Sequence, residues 1–588
     1  MIKERVKKLR KLMEKNNLDA YIVYSFDPHN SEYVSEKWKS RAWISGFTGS
    51  AGLVVILKDK AGLWTDGRYF IQAEEQLKGS GIDLFKMATP GFDTYTQWLY
   101  NNLDKNATIG TDGEVVTVAM NDELISIFDK KNINIEYMDL IDEIWEDRPS
   151  IPMNEVYEHK IKYAGKERLT KISIIRDIIK KNEGNHYVLS TLDDIAWLFN
   201  FRGSDVKNSP VAVSYVLISE NKATLYIHNN KINTHLLKSL EEDNIAIKNY
   251  TDIFNDLSEL GTDETVLINE KTLNIKVKNS IQANTKNIKN IVAYEKAKKD
   301  SIEISNEKNC LIRDGASMVK FLHWLDTNVD SGKLTELSID KKLNYFRAQD
   351  SKFVDESFDT IAGYKEHGAI IHYSANEETN STLKNESILL LDSGGLYLDG
   401  TTDITRTIAL GETSEEEKTD FTLVLKGMIN LSQAIFLEGT IGANLDILAR
   451  QAMWNRAIDY KHGTSHGIGY FLNVHEGPQS ISLKLIDVKL EEGMLLSNEP
   501  GLYRKGKHGI RIENTITVVP HLETEFGKFF KFETVSFCPI DRRLIKSDML
   551  NESERKWINT YHSEVFEKLS PLLNSEQTNW LKEMTKEV

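Results

Sequence analysis

Cysteine is nearly missing from this chain: Cys310 and Cys538 are the only two in 588 residues. Two distant thiols make no disulfide framework, which excludes a small stapled scaffold and favours a reducing compartment, so a cytoplasmic protein is expected. Long apolar runs are also lacking, and nothing in the sequence is long enough to span a bilayer. The first residues, MIKERVKKLRKLMEKNNLDAYIVY, carry neither the apolar core nor the small-residue cleavage site of a signal peptide. Val6, Leu9, Leu12 and Met13 instead recur at helical spacing and predict an amphipathic helix of the folded protein. A basic surplus is absent too. With 73 Lys and Arg against 88 Asp and Glu, the net charge is −15, which argues against nucleic acid and anionic membrane as partners.

What is present reads as ordinary globular protein, 40% hydrophobic and 27% charged. At this length one hydrophobic core does not suffice, and two to four domains are expected. Two early stretches look alike. DAYIVYS is followed by RAWISGFTGSAGLVVILKDKAGLWTDGRYF, and later NHYVLST is followed by DIAWLFNFRGSDVKNSPVAVSYVLISENKATLYIHNNK. Each begins with a basic amphipathic helix and a short apolar strand. An Ala-Trp pair, a Gly-Ser turn and two β-rich runs joined by a polar turn then follow. The pattern predicts two related α/β domains, residues 1–150 and 151–295, ending near WEDRPSIP and AYEKAKKDS. From 296 to 588 the texture changes. A long helical pattern runs through LIRDGASMVKFLHWL, and nearly all the unusual polar clusters follow it.

Histidine is used sparingly, fourteen in all, yet three of them crowd into HGTSHGIGYFLNVHEG: His462, His466 and His475. The glycines there do not make a phosphate loop, because the Lys-Ser/Thr pair is missing; they let backbone pack closely around the imidazoles. Carboxylates accompany them. Asp392 ends the apolar run SILLLD, and Asp403 lies eleven residues on, able to face it across antiparallel strands. Glu499 closes another apolar run before a Pro-Gly turn. In GIRIENTITVV, alternation of Ile510, Ile512, Ile516 and Val518 predicts one strand with Arg511 and Glu513 on its other face. Taken singly, these acids equally fit turn or strand-end residues, as Asp399 in LDG does, and Arg511 with Glu513 fits a surface ion pair. Taken together, buried carboxylates need a compensating charge, and a divalent cation is the simplest one. One imidazole with hard oxygens and no thiolate suits Mn, Co, Fe or Zn rather than a structural zinc site. Four carboxylates exceed one ion's need, so two metals, roughly 3.5–4 Å apart, fit better.

These motifs resemble the M24 "pita-bread" metallopeptidases, specifically the long three-domain Xaa-Pro aminopeptidases (aminopeptidase P), over essentially the whole chain. The resemblance implies an α/β (α+β) protein with two creatinase-N-like α/β domains before a pita-bread catalytic domain. It implies a dinuclear site of Asp392 in LLDSGG, Asp403 in TTDITRT, His466 in HGTSHGIG, Glu499 in SNEPG and Glu513 in IRIEN. His462, His475 and His372 (in GAIIHY) resemble the family's non-ligand active-site histidines, and Arg68 in WTDGRYF the position that reaches toward bound peptide. The implied reaction is release of the first residue from peptides with proline second, by a hydroxide bridging two divalent ions, most simply Mn2+, with Zn2+ or Co2+ as alternatives. In that scheme Glu499 shuttles a proton, His462 and His475 bind the developing oxyanion, and His372 holds the peptide. His466, Tyr503 and Arg511 complete the substrate contacts. A homodimer is implied as well. From the residues alone His372 reads as a core histidine on a strand. Proline lacks an N–H and has a fixed φ, so the site must offer an apolar slot without demanding that donor. Prolidase, acting on Xaa-Pro dipeptides, is the nearest competing activity. Methionine aminopeptidase would not carry two α/β domains, creatinase-like enzymes lack the ligand set, and a catalytically silent peptide- or protein-binding scaffold is the competing non-enzyme.

Overall fold

The computed structural model describes residues 1–588. The chain forms two compact units, Met1–Lys160 with Lys166–Val292, and Ile161–Gly165 with Ala293–Val588. No helix is long and apolar enough to cross a membrane, and both cysteines are buried and free.

The first unit opens with the expected amphipathic helix, Ile2–Lys15, which buries Val6, Leu9 and Met13 and packs Leu12 at the edge of the same cluster. The apparent internal repeat is real at the level of topology. One sheet runs, in spatial order, Asp83–Lys86, Ala61–Thr65, Leu53–Leu57, Ala20–Val23, Thr108–Thr111 and Asn134–Tyr137. The other runs Ile245–Lys248, Ala223–Tyr226, Tyr215–Ser219, His186–Leu189, Thr265–Ile268 and Asn284–Asn287. In both, the chain starts in the fourth position, makes two antiparallel neighbours, and adds parallel strands at each flank. In the first sheet the strands nearest the middle are buried along their length, as near-continuous apolar runs such as LVVIL require. The two sheets share one unit. His29 contacts the Ser190 carbonyl at 2.8 Å and the Tyr250 hydroxyl at 3.0 Å, while Asn274 donates to the Pro28 carbonyl at 2.8 Å.

The second unit starts from the predicted long helix, Ser301–Asn328, nucleated by a capping box between Asp300 and Glu303. A second long helix, Glu415–Ser432, has Ser414 as cap and three glutamates in its first turn, where the helix dipole favours them. Its Phe421, Val424, Leu425, Met428 and Ile429 pack with Ile558 and Val565 of helix Glu552–Leu569 in the largest core cluster of this unit. Two sheets carry the polar clusters. The first places Ile388–Ser393 between Ile361–Tyr364 and Ile404–Ala409. The second runs Ile435–Leu437, Gly527–Thr534, Asn514–Thr524, Leu495–Asn498, Ser465–Gly467 and Glu476–Ile481. A hairpin of Gly501–Arg504 with His508–Arg511 stands beside them. The single strand expected from alternation over 510–518 is thus two, broken at Ile512 and Glu513. The alternation of buried isoleucines survives the break, which is why the sequence conceals it.

Candidate metal centre

Five segments of the second unit deliver acids and an imidazole to one place. Asp392 lies near the end of a fully buried strand and is in register with Thr405 on one side and Ile361 on the other. Asp403 sits directly before strand Ile404–Ala409. Glu513 occupies the break between two strands, and its backbone N–H donates to the Thr405 carbonyl at 3.1 Å. Glu499 follows strand Leu495–Asn498, with its N–H donating to the Thr464 carbonyl at 2.9 Å. His466 is the middle residue of strand Ser465–Gly467, and its N–H donates to Ser497 Oγ at 3.0 Å. Gly467 must be glycine, since a Cβ there would collide with the Gln479 side chain and the Glu476 carbonyl.

One ligand atom each from Asp403, His466 and Glu513 lies within 4.8 Å of the others. His466 Nε2 is 3.3 Å from Asp403 Oδ2 and 3.4 Å from Glu499 Oε1. Its Nδ1 meets the Gly467 carbonyl at 2.9 Å. That contact keeps a proton on Nδ1, so a cation that displaces the proton from Nε2 would find that nitrogen's lone pair directed at the carboxylates' side of the ring, the tautomer a ligating histidine needs.

The electrostatics of this cluster are unbalanced. Burial, then the charges of Asp403, Glu499 and Asp392, push the Glu513 carboxyl well above the usual range. Burial raises Glu499 to about 7 against the pull of His466 and Arg511, and burial also raises Asp392 against Arg511. Burial lowers the His466 ring, but the Asp403 hydrogen bond, the Glu499 and Asp403 charges and the Gly467 carbonyl outweigh it and drive the ring up to about 9. Asp392 Oδ1 and Glu513 Oε1 are buried with no hydrogen-bond partner. Desolvated oxygens without donors, around one imidazole lone pair and with no thiolate, match the donor set of hard or borderline divalent cations. The residues present therefore fit such ions.

A second layer holds the acids. Arg511 donates to Asp392 Oδ2 at 2.6 Å, to Thr405 Oγ at 3.2 Å and to the Tyr503 hydroxyl at 2.9 Å. Thr405 in turn donates to Glu513 Oε2 at 2.8 Å. The Tyr503 oxygen lies 2.9 Å from His462 Nε2, and His462 Nδ1 lies 2.7 Å from the Gly463 carbonyl. His475 stacks edge-on against His466, ring centres 4.4 Å apart.

Several expectations change. Arg511 is not in a surface pair with Glu513; it is buried and pairs with Asp392, because the strand break turns Glu513 to the acids and leaves Arg511 on the hairpin. Asp399 is in a turn as expected, but fully buried there, held by Arg313 at 2.6 Å and Lys352 at 2.5 Å. His372 is not on a strand. It lies half-buried in a turn that follows the short helical stretch Lys365–Ala369. Arg68 belongs to the first unit, where it grips Asp66 through Nε at 2.9 Å and Nη2 at 2.7 Å. Sequence reasoning passed over Thr405, Ser497 and Asp420. The buried Asp420 carboxylate receives Arg504 and His508 and so fastens the hairpin that carries Tyr503 and Arg511. A hydroxyl two residues after Asp403 was a readable signal, whereas Asp420 looks like any helix acid.

Comparison with known proteins agrees in family. The model of metallopeptidase family M24 matches residues 307–520, and that of the C-terminal region of this peptidase family matches 528–588. Two creatinase/prolidase N-terminal domain models match 5–147 and 147–303. Aminopeptidase P2 of Arabidopsis thaliana is 38% identical over 99% of this chain and 88% of its own length. Xaa-Pro aminopeptidase 1 of Dictyostelium discoideum is 39% identical over 100% and 96%. The crystal structure of X-prolyl aminopeptidase from Caenorhabditis elegans, described as a cytosolic enzyme with a di-nuclear active site, superposes with a TM-score of 0.96 at 32% identity, covering both chains fully. The chain belongs to metallopeptidase family M24, in its full-length Xaa-Pro aminopeptidase group.

Proposed function

We propose that this protein releases the N-terminal residue from peptides whose second residue is proline, using two divalent cations held by Asp392, Asp403, His466, Glu499 and Glu513. The observation that carries this reading is the convergence of Asp403, Glu499 and Glu513 on His466, in a cluster where buried oxygens of Asp392 and Glu513 have no donor. The names of the full-length relatives support the substrate class, and the di-nuclear site described for the Caenorhabditis elegans enzyme supports the metal count. Among the ions that suit these ligands, Mn2+ is our first choice and Zn2+ or Co2+ the alternatives. We read the chain as three modules, 1–150, 151–295 and 296–588, supported by the span of each family model, and as a cytoplasmic homodimer.

Bound cations would supply Lewis acidity, offsetting the clustered carboxylates and making a water acidic enough to attack near neutral pH. The chain's own groups do the rest. Glu499 Oε1, beside His466, takes the proton of the attacking water and passes it to the leaving proline nitrogen. His475, packed on His466, donates to the scissile carbonyl oxygen as it gains charge. His462 already spends both ring nitrogens on Gly463 and Tyr503. We therefore assign it, contrary to the sequence expectation, to fixing the Tyr503 hydroxyl, while Arg511 holds that hydroxyl and Asp392 together. His372 holds the peptide.

A mass-spectrometric cleavage assay tests this directly. Mn-loaded and chelator-stripped protein would each be offered Xaa-Pro-Yaa, Xaa-Ala-Yaa and Xaa-Pro. Metal-dependent loss of the first residue from Xaa-Pro-Yaa alone is expected. Cleavage of the dipeptide instead would make the protein a prolidase, and metal binding with no cleavage would make it a scaffold.

A further inference from the structure

We propose that Glu336 is the positioning residue for His372, a buried carboxylate that pins both ends of the loop on which this histidine is carried; the inference rests on the reading of His372 as a peptide-holding group. Glu336 is the first residue of helix Glu336–Arg347, capped by Thr335, and its side chain is wholly buried. Its Oε1 accepts from the Tyr364 N–H at 2.9 Å and meets His367 Nδ1 at 2.8 Å. Its Oε2 accepts from the Tyr373 hydroxyl at 2.8 Å and the Ser381 N–H at 2.9 Å. Two of these donors precede His372 and two follow it. A carboxylate offers about four lone-pair sites, so this one is saturated by a single segment of chain.

The segment is tied to the metal centre at both margins. Tyr364 ends the strand whose Ile361 is in register with Asp392. Tyr373, next to His372, shares an apolar cluster with Ile361 and Leu390, against which Ile370 and Tyr503 pack. Between the margins the backbone comes so close to the hairpin that a Cβ on Gly509 would collide with the Gly368 carbonyl. No strand pairing holds residues 365–373. The donors that Glu336 gathers set the loop instead, and a carboxylate fixed at a helix N-terminus is a stiff anchor for them.

A double-mutant cycle tests this with the metal-loaded protein and an Xaa-Pro-Yaa peptide. Glu336→Gln keeps size but replaces one acceptor with a donor, so at least one of the four partners is lost. A displaced binding group costs on the order of ten- to a hundredfold in kcat/KM. Glu336→Gln is expected to show that loss in the native background and less than about a twofold loss when His372 is already alanine. An equal loss in both backgrounds would mean Glu336 only supports the fold and would overturn the proposal, as would no loss in either. If His372→Ala itself leaves kcat/KM unchanged, the reading of His372 fails, and the positioning role with it. Tyr373→Phe repeats the cycle with only one donor removed. It serves if Glu336→Gln does not fold, with a smaller loss that again disappears beside His372→Ala.

Discussion

Glu476 and Glu513 are both buried in the second unit, and their surroundings are opposite. Glu476 receives Lys296 at 2.6 Å and Lys299 as well, and all three side chains are shielded from water. Glu513 receives one hydroxyl, from Thr405, and faces three further carboxylates with an oxygen left unpartnered. Burying a carboxylate is costly unless a cation or several donors compensate. The chain supplies its own cations to Glu476, which lies beside His475 and holds that part of the backbone. It withholds them from Glu513. The lesson is that burial of an acid does not by itself mark the functional site in this protein; the convergence of several buried acids on fewer internal cations does.

The comparison is broken most severely at the under-compensated cluster. Replacing His466 or Glu499 by alanine is expected to abolish Xaa-Pro-Yaa turnover, a loss on the order of a thousandfold or more, because Lewis-acid assistance is worth several kcal/mol. The fold should persist, read by an unchanged circular dichroism spectrum; retained turnover in either variant would sink the assignment. At the compensated glutamate the loss should be stability rather than chemistry. Glu476→Gln strands two buried ammonium groups and is expected to cost about 3–5 kcal/mol, seen as a lowered midpoint in denaturant with the metal present or removed. Glu513→Gln should do the reverse in chelator-treated protein. It removes a carboxyl whose ionisation the buried cluster opposes, and with it the cost of either charging or protonating that group above its unfolded pKa, so the stripped variant should be more stable than stripped wild type by about 1 kcal/mol. The same variant should hold fewer metal ions by elemental analysis. A destabilised stripped variant would show that the cluster is compensated from within after all.

Much of the fold was readable because it follows from periodicity. The amphipathic first helix, the long helix at 301–328 and the like texture of the two early stretches rest on local patterns of apolar residues; the strand order that the two stretches share rests on long-range pairing. The five residues of the candidate centre were readable as two acids at the ends of apolar runs, Asp392 and Glu499, two in alternating segments, Asp403 and Glu513, and a histidine among glycines. Their partners were not. Arg511 meets Asp392 across 119 positions of sequence, and its neighbour-but-one Glu513 turns away at a break hidden by isoleucines that keep the same parity on either side of it. Asp399 and Glu336 look like a turn acid and a helix-start acid, which they are; their burial is decided by chain segments far away. His372 followed apolar residues and so read as strand, but Glu336 draws its loop into a turn instead. Local rules place elements, and the charge balance of a buried acid is a tertiary property.

Glu336 gives the comparison a third member, with a counter-charge that can be removed by pH. Three of its donors are neutral, and the fourth is His367, stacked on Tyr373 with ring centres 4.4 Å apart. The hydrogen bond to Glu336 raises the His367 pKa above its ordinary value; partial burial opposes this, the Glu336 and Glu366 charges add to it, and Ser381 Oγ lies 3.5 Å from the ring. A histidine whose folded pKa is raised contributes stability that is complete below the unfolded value of about 6.5 and disappears as pH climbs through the folded value. His367→Gln should therefore lower the unfolding midpoint at pH 6 and lower it less with each step upward in pH. The effect should be the smallest of the four, under about 1 kcal/mol, because the ring is partly open to solvent. A pH-independent difference would mean that His367 serves Glu336 as a neutral donor, leaving a carboxylate that four neutral hydrogen bonds suffice to bury.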